Sequence, residues 1–200
     1  MKNLLIVEIN RSFPEKFLAE LTSSFNLEVR KVVESDTESL QNLYPDLVIL
    51  FSEKTESDHS EILKILKHNF SDIPIILIDN YELSEEGLNA LKTGATGYFS
   101  LKEKDFDIIR IVSNSINGEV FIPKVLAEEL ASPFVKISGL KKIKNNFFTT
   151  RELVFLTLLK DAESYSIIAD KLNVSIDKIN FLVRNIYRKL HFYHNVSEVI

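Results

Sequence analysis

The sequence has no cysteine, no tryptophan and a single methionine among its 200 residues. The absence of cysteine excludes disulfides, thiolate metal sites and cysteine nucleophiles. The chain also lacks an apolar run long enough to cross a membrane. Its start, Met1-Lys2-Asn3, leads directly into a strand-like run rather than into a signal peptide. These absences predict a cytoplasmic protein with no membrane partner.

The charged residues are unevenly distributed along the chain. The net charge is -5, but residues 1–135 hold 13 of the 24 basic residues and 23 of the 29 acidic ones. The first part is therefore acidic, and residues 136–200 are basic. A basic segment is typical of nucleic-acid binding, although a solvated surface with a lysine-rich linker explains the same pattern.

Strand-like runs alternate with helix-like stretches over residues 1–118. The helix-like stretches carry apolar residues at spacings of three and four, and two of them end at Gly94 and Gly118. Because each crossover helix must cover one face of the sheet, the alternation predicts an α/β fold with a doubly wound, five-stranded parallel sheet. The predicted strands are NLLIVEI (3–9), LEVRKVV (27–33), DLVILF (46–51), IPIILID (73–79) and GYFSL (97–101).

A different pattern follows residue 118. Residues 119–146 are predicted to form a linker, with a short helix after Pro123 and a polar, basic stretch around Gly139. Residues 147–200 hold three helix-like stretches with tight connections, and Thr149 and Glu152 have the spacing of a capping box. Three such helices, the last long and basic, predict a small all-α helix-turn-helix domain.

Motifs in both parts resemble two-domain response regulators with a LuxR-type helix-turn-helix of the NarL/FixJ kind. The first part carries "PDLVIL", "GATGYF" and "NGEVFIP", and the second carries "TTRELVFLTLL" and "IADKLNVS". The second part also has the family's spacing of Ile179, Ile186, Arg188, Lys189 and Leu190. The resemblance covers almost the whole chain. It implies a CheY-like receiver domain at 1–118 and a DNA-binding domain at 147–200.

The resemblance also implies where the receiver chemistry would lie, and the required groups are missing there. The acidic pair after the first strand is Glu8 and Ile9, and the phosphoacceptor position at the end of the third strand holds Phe51. Asp79 replaces the hydroxyl residue after the fourth strand, and Leu101 replaces the lysine after the fifth. A phenyl ring has no nucleophilic atom, so aspartyl phosphorylation at Phe51 is chemically impossible.

We expect the ring of Phe51 to fill the vacated pocket and bury apolar surface. Glu8 and Asp79 could still meet across neighbouring strands. The favoured interpretation is two partly solvated carboxylates, or one of them paired with Lys102. The less favoured alternative is a surviving cation site, because two ligands rarely hold a hard cation alone. The sequence therefore predicts no metal, no cofactor and no enzymatic activity.

The third helix of the second part has an apolar stripe and a polar face. With residues 176–190 wound as a helix, Ile179, Val183, Ile186 and Leu190 share the core side. The resemblance implies that Asn180, Phe181 and Arg184 face the major groove. The alternative is that Phe181 packs against other parts of the chain. The predicted DNA-binding residues are Lys178, Asn180, Phe181, Arg184, Arg188 and Lys189.

Two departures from the family pattern weaken this interpretation. The family's usual lysine and histidine on this helix are Asn180 and Leu182 here, which predicts weaker phosphate contacts. The family also pairs its DNA-binding domains through a helix near the end of the chain, and here few residues follow Leu190. We therefore expect that this helix is short or that pairing occurs elsewhere.

Together these patterns predict a transcription regulator that binds double-stranded DNA and works independently of phosphorylation. Its receiver-like domain is expected to form a homodimer and to offer a surface for a protein or small-ligand partner. The alternative is a protein-interaction module that pairs with another regulator and binds DNA weakly or not at all.

Overall fold

The computed structural model divides the chain into two compact units, Met1–Glu119 and Val120–Ile200. It describes residues 1–9, 11–32, 40, 42–52, 60–80, 89–91, 93–102, 106–119, 121, 122, 124–131, 147–161 and 164–197. Within these ranges, no helix is both long enough and apolar enough to span a membrane.

The first unit is a five-stranded parallel sheet with helices in its connections. The strands lie in the order β2-β1-β3-β4-β5, and all neighbours are parallel. This confirms the predicted doubly wound α/β fold of the receiver type. The elements are β1 (Asn3–Ile9), α1 (Glu15–Thr22), β2 (Asn26–Lys31), β3 (Leu47–Ser52), α2 (Ser60–Asn69), β4 (Ile75–Asp79), β5 (Gly97–Ser100) and α3 (Ile108–Ile116).

The apolar runs form the strands because both faces of a parallel sheet are covered. Every residue of β3, β4 and β5 is buried. The edge strand β2 is partly exposed, and it accordingly carries charged side chains between its apolar ones. The core of this unit therefore lies around β3, whose carboxyl end is Phe51-Ser52.

Glycines end two segments of this unit at the predicted positions. Gly94 has φ +128°, and a Cβ there would lie 3.2 Å from the Lys67 side chain. Gly118 follows α3 with φ 80°. Both values favour glycine because other residues clash with their own backbone there. Residues 89–91 are helical, as predicted, and residues 81–88 of that connection lie outside the described ranges.

The second unit is all-helical. Its elements are α4 (Lys124–Ala131), α5 (Thr150–Lys160), α6 (Tyr165–Lys171) and α7 (Ile176–Ser197). Helix α4 lies where the sequence predicts a short helix, and it packs against α5. The basic stretch of the predicted linker lies outside the described residues.

Local capping explains where α5 and α6 begin. Thr149 and Glu152 form the predicted capping box at the start of α5, and the Ser164 side chain caps α6. Asn173, with φ 51°, lies in the turn between α6 and α7, a conformation that asparagine tolerates better than most residues. Helix α7 continues to Ser197, seven residues beyond the predicted end at 190.

Candidate functional site

Aromatic rings occupy the carboxyl end of the sheet where a receiver would have its acidic pocket. Phe51 is 1% exposed. The Phe13 ring packs edge-on against it, with centroids 5.1 Å apart and an interplanar angle of 88°. Phe17 continues the cluster, with its ring centroid 6.2 Å from that of Phe13 and 5.1 Å from that of Phe106. Position 51, next to the last residue of β3, is therefore apolar and offers no oxygen ligand.

Glu8 holds the chain that follows β1. It is buried, and its Oε1 accepts a hydrogen bond from the Phe13 backbone N–H at 2.8 Å. Its Oε2 is buried and has no hydrogen-bond partner among the described residues. Glu8 lies beside Phe51 on β3. One function of the Glu8 carboxylate is thus to position the Phe13 ring over Phe51.

Asp79 is the last residue of β4, and its side chain forms a hydrogen bond with the neighbouring strand β5. The Tyr98 hydroxyl of β5 donates to Asp79 Oδ2 at 2.7 Å, and both residues are buried. Glu8 and Asp79 do not meet across neighbouring strands, because β3 lies between β1 and β4. The expectation that they are partly solvated is wrong, because both are buried. Two strand spacings separate their backbones by roughly 10 Å. Phe51 pairs with Glu8 and with Ile78, so the alternation of side chains along β4 sends Asp79 to the other face of the sheet. Among the described residues, no group of three His, Cys, Asp or Glu side chains could hold a metal ion.

The remaining receiver positions carry apolar side chains. Ile9 is buried at the end of β1, and Leu101 is half-buried after β5. The Leu101 backbone N–H donates to the Asp79 carbonyl at 2.8 Å. Lys102 is exposed, and its backbone N–H donates to Ser100 Oγ at 3.2 Å. The position that the resemblance equates with a receiver lysine therefore supplies a side chain without charge.

Helix α7 presents a mixed outward face. Phe181 is 53% exposed, which is unusual for a phenyl ring on a helix. Lys178, Arg184 and Arg188 are also exposed, and the Arg188 guanidinium donates to Asn185 Oδ1 at 3.3 Å. Phe181, Arg184 and Arg188 lie on the side opposite the buried stripe, as the helical winding requires, and Lys178 lies at the flank of that face.

The placement of Asn180 corrects the sequence prediction. Its side chain is 8% exposed, and its Oδ1 has no hydrogen-bond partner among the described residues. The expectation that Asn180 lies on the exposed face is therefore wrong. Residues seven apart on a helix differ by only about 20°, so Asn180 shares its flank with the buried Tyr187.

Lys189 forms an ion pair at the start of α5. Its ammonium donates to Glu152 Oε2 at 2.6 Å and lies 5.9 Å from the centroid of the Phe148 ring. The same Glu152 oxygen accepts from the Thr149 backbone N–H in the capping box. Lys189 thus links α7 to the cap of α5, and this contact competes with the DNA-binding role predicted for it.

Sequence reasoning missed two tyrosines that hold the start of the second unit. The Tyr187 hydroxyl donates to the Phe121 carbonyl at 2.5 Å, and the Tyr165 hydroxyl accepts from the Ile122 N–H at 3.0 Å. The Phe121 and Tyr165 rings stack with centroids 6.1 Å apart. Burial raises the pKa of Tyr187, and the nearby Tyr165 raises it further. The only sequence signal was the tyrosine among the apolar positions of α7.

Comparison with known proteins gives distant relatives. No family model matches the chain. It is 26% identical to the oxygen regulatory protein NreC of Staphylococcus epidermidis over 131 residues, which cover 63% of this chain and 60% of that protein. It is 22% identical to the nitrate/nitrite response regulator protein NarL of Escherichia coli over 167 residues, which cover 84% of this chain and 77% of NarL. The chain thus spans about 60% of the length of NreC.

Solved structures show a similar fold. A LuxR-family two-component response regulator from an Aurantimonas species matches with a TM-score of 0.53 and 15% identity, over 65% of this chain and 95% of that one. RcsB, solved as dimers bound to DNA, matches with a TM-score of 0.50 and 18% identity, over 97% of this chain and 98% of that one. These comparisons confirm the resemblance found in the sequence: the chain is related to LuxR-family response regulators such as NarL and NreC, and its first unit has the receiver fold.

Proposed function

We propose that this protein is a DNA-binding transcription regulator of the response-regulator type that works without aspartyl phosphorylation. The observation that carries the proposal is the outward face of α7, where the exposed Phe181 lies among Lys178, Arg184 and Arg188. The distant relatives NreC and NarL are regulators by name, which supports the same conclusion. A regulator of this kind would act in the cytoplasm.

The chemistry of this face suits the major groove. Arginine contacts guanine in a bidentate manner or neutralises a phosphate, and an apolar side chain contacts the methyl group of thymine. Arg188 lies on the same side of α7 as Arg184, and Lys178 lies at the flank of that face. Both supply further charge for the phosphate backbone. We therefore assign Lys178, Phe181, Arg184 and Arg188 to the DNA interface, and we give Asn180 and Lys189 supporting roles inside the unit.

Independence from phosphorylation follows from the aromatic cluster. Phe51 cannot accept a phosphoryl group, and the receiver positions at Ile9 and Leu101 lack the groups that would hold a cation or a phosphate. We propose that the receiver-like unit instead serves homodimerisation, or the binding of a protein or small-ligand partner.

The experiment that tests DNA binding uses the full chain. Operators are first selected from random DNA, and affinity is then measured as a function of salt on a selected operator and on random DNA. We expect preference for the selected operator, with log affinity falling linearly with log salt. Failure to shift any DNA at low salt would refute the proposal.

Acetyl phosphate provides a separate test of phosphorylation independence. We expect the reagent to leave the protein mass, the sedimentation coefficient and the DNA affinity unchanged. A stoichiometric, acid-labile phosphoryl adduct on residues 1–119 would refute this part of the proposal while leaving DNA binding untouched.

The placement of Asn180 and Lys189 favours a second candidate function. One of these predicted DNA contacts is buried, and the other is engaged by Glu152. Fewer contacts reduce the electrostatic part of DNA affinity, which suits a module that pairs with another regulator and binds DNA weakly. Absence of DNA binding by the protein alone, together with DNA binding by a complex with a second regulator, would select this alternative.

A further inference from the structure

A two-residue segment of the second unit is held by a pair of tyrosine hydroxyls. Tyr187 of α7 donates to the Phe121 carbonyl, and Tyr165 of α6 accepts from the Ile122 N–H. We call these four residues the tyrosine clamp. Tyr187 and Ile122 are buried. The clamp therefore pairs a backbone carbonyl and a backbone N–H that would otherwise need other partners.

The clamp joins α7 to the chain directly after the first unit. Glu119 is the last residue of that unit, and Phe121 is the second residue after it. Tyr187 lies between Arg184 and Arg188 on α7. The residue that holds Phe121 is thus built into the same helical turns as the proposed DNA contacts.

We propose that Tyr187 is a positioning residue for DNA reading: through the clamp it fixes the rotation of α7 about its axis, and so aims Phe181 and Arg184 into the groove. This inference rests on the proposed DNA-binding function and names a residue that contacts no DNA itself. The clamp also provides a route by which displacement of the chain at Phe121 reaches the recognition helix.

A small rotation of α7 would be enough to disturb contacts with base edges. Side chains of an α-helix reach about 6 Å from its axis. A rotation of roughly 15° therefore moves their tips by about 1.5 Å, which exceeds the range over which a hydrogen bond to a base edge keeps its geometry. Contacts with phosphates depend on charge and tolerate such a shift. Loss of the clamp should thus reduce discrimination between DNA sequences more than overall affinity.

Amide hydrogen exchange on the full chain tests the clamp without DNA. Tyr165→Phe removes the hydroxyl that accepts from the Ile122 N–H, and we expect the Ile122 amide to exchange about tenfold faster, as loss of one hydrogen bond would give. Tyr44→Phe is the matched control, because Tyr44 is 84% exposed and lies in the other unit. An Ile122 exchange rate within about twofold of wild type in Tyr165→Phe would overturn the clamp.

DNA binding by Tyr187→Phe tests the positioning role. The substitution keeps the ring and removes only the hydroxyl donor to Phe121. We expect the affinity ratio between the selected operator and random DNA to fall about fivefold, the value of one hydrogen bond, while affinity for random DNA and the salt slope stay unchanged. A merely structural role would lower both affinities in proportion to the folded fraction, and that result would overturn the proposal.

The two experiments separate the possible failures. If wild-type protein binds no DNA, the proposed function and the positioning role fail together, and the exchange rate of Ile122 still decides whether the clamp exists. If wild type discriminates between operator and random DNA and Tyr187→Phe discriminates equally well, the positioning role fails and the proposed function stands.

Discussion

Replacement of Phe51 by aspartate would return to the sheet the side chain type that a receiver carries there, and we expect it to destabilise the first unit severely. Phe51 is buried and packs edge-on against Phe13. Truncation of a buried phenylalanine costs about 3–5 kcal/mol, and a buried carboxylate without partners costs about 1–3 kcal/mol more. The sum of about 4–8 kcal/mol approaches the total stability of many domains, about 5–15 kcal/mol.

Glu8 sharpens this prediction. It is paired with Phe51 in the register of β1 and β3. The backbones of the two residues are therefore about 5 Å apart, and we take the two carboxylates to be separated by about the same distance. Two unit charges at that separation repel by about 3 kcal/mol at an effective dielectric constant of about 20. We therefore expect Phe51→Asp combined with Glu8→Gln to be more stable than Phe51→Asp alone, by about 1–3 kcal/mol.

Urea unfolding of the full chain, followed by circular dichroism, measures these differences. Phe51→Leu is the control, because a nearly volume-conserving apolar change should cost less than about 1.5 kcal/mol. Phe51→Asp should also fail to respond to acetyl phosphate, since Leu101 supplies no ammonium and Asp79 no hydroxyl. A Phe51→Asp protein with the unfolding midpoint of wild type would show that the pocket is hydrated, and the argument from the aromatic cluster would fail.

Four further changes test the second unit. Arg184→Ala should flatten the salt slope of DNA binding by roughly one unit if Arg184 contacts phosphate, or lose about 1–3 kcal/mol of discrimination at one base pair if it reads guanine. Phe181→Ala should leave the slope unchanged and weaken preference for a thymine. If it unfolds the unit instead, Phe181 is a packing residue. The raised pKa of Tyr187 means that the folded state holds its phenolic proton more tightly than the unfolded state, whose value is near 10.0. Stability should therefore fall as pH rises above about 10, and Tyr187→Phe should remove that dependence in an alkaline unfolding series. Glu152→Gln should lower the free energy of unfolding of the second unit by about 1–2 kcal/mol, and with it the melting temperature, because it weakens both the cap of α5 and the pair with Lys189. An unchanged melting temperature would contradict this assignment.

The sheet could be predicted because its signals are local. An apolar run such as DLVILF satisfies both covered faces of a parallel strand whatever its neighbours are, and β3 is buried throughout. Gly94 and Gly118 marked segment ends because their positive φ values depend only on the backbone around them. The capping box of Thr149 and Glu152 likewise closes within four residues.

The contacts of the candidate site depend on which helices and strands become neighbours in the fold. A short stretch of sequence does not contain that information. Glu8 and Asp79 lie on different strands, and only the strand order shows that β3 separates those strands. Asn180 falls on a polar face of the helical wheel, yet its flank is buried. Lys189 counts as a basic residue in any charge analysis, although its charge is neutralised by Glu152 from another helix. In each case the residue type is known from the sequence, whereas the neighbours that decide its contacts are not.

A regulator without a phosphoacceptor can be switched only by a partner that binds two of its states with different affinity. If such a partner acted on DNA reading through the tyrosine clamp alone, the clamp would limit its effect. The clamp contains two hydrogen bonds, each worth about 1 kcal/mol net, so it can transmit about 2 kcal/mol, or roughly a 30-fold change in DNA affinity. A nearly complete switch between states populated 1:99 and 99:1 needs about 5.5 kcal/mol. A clamp-mediated response should therefore be graded, and a partner that changes DNA affinity by more than about 100-fold must act through additional contacts.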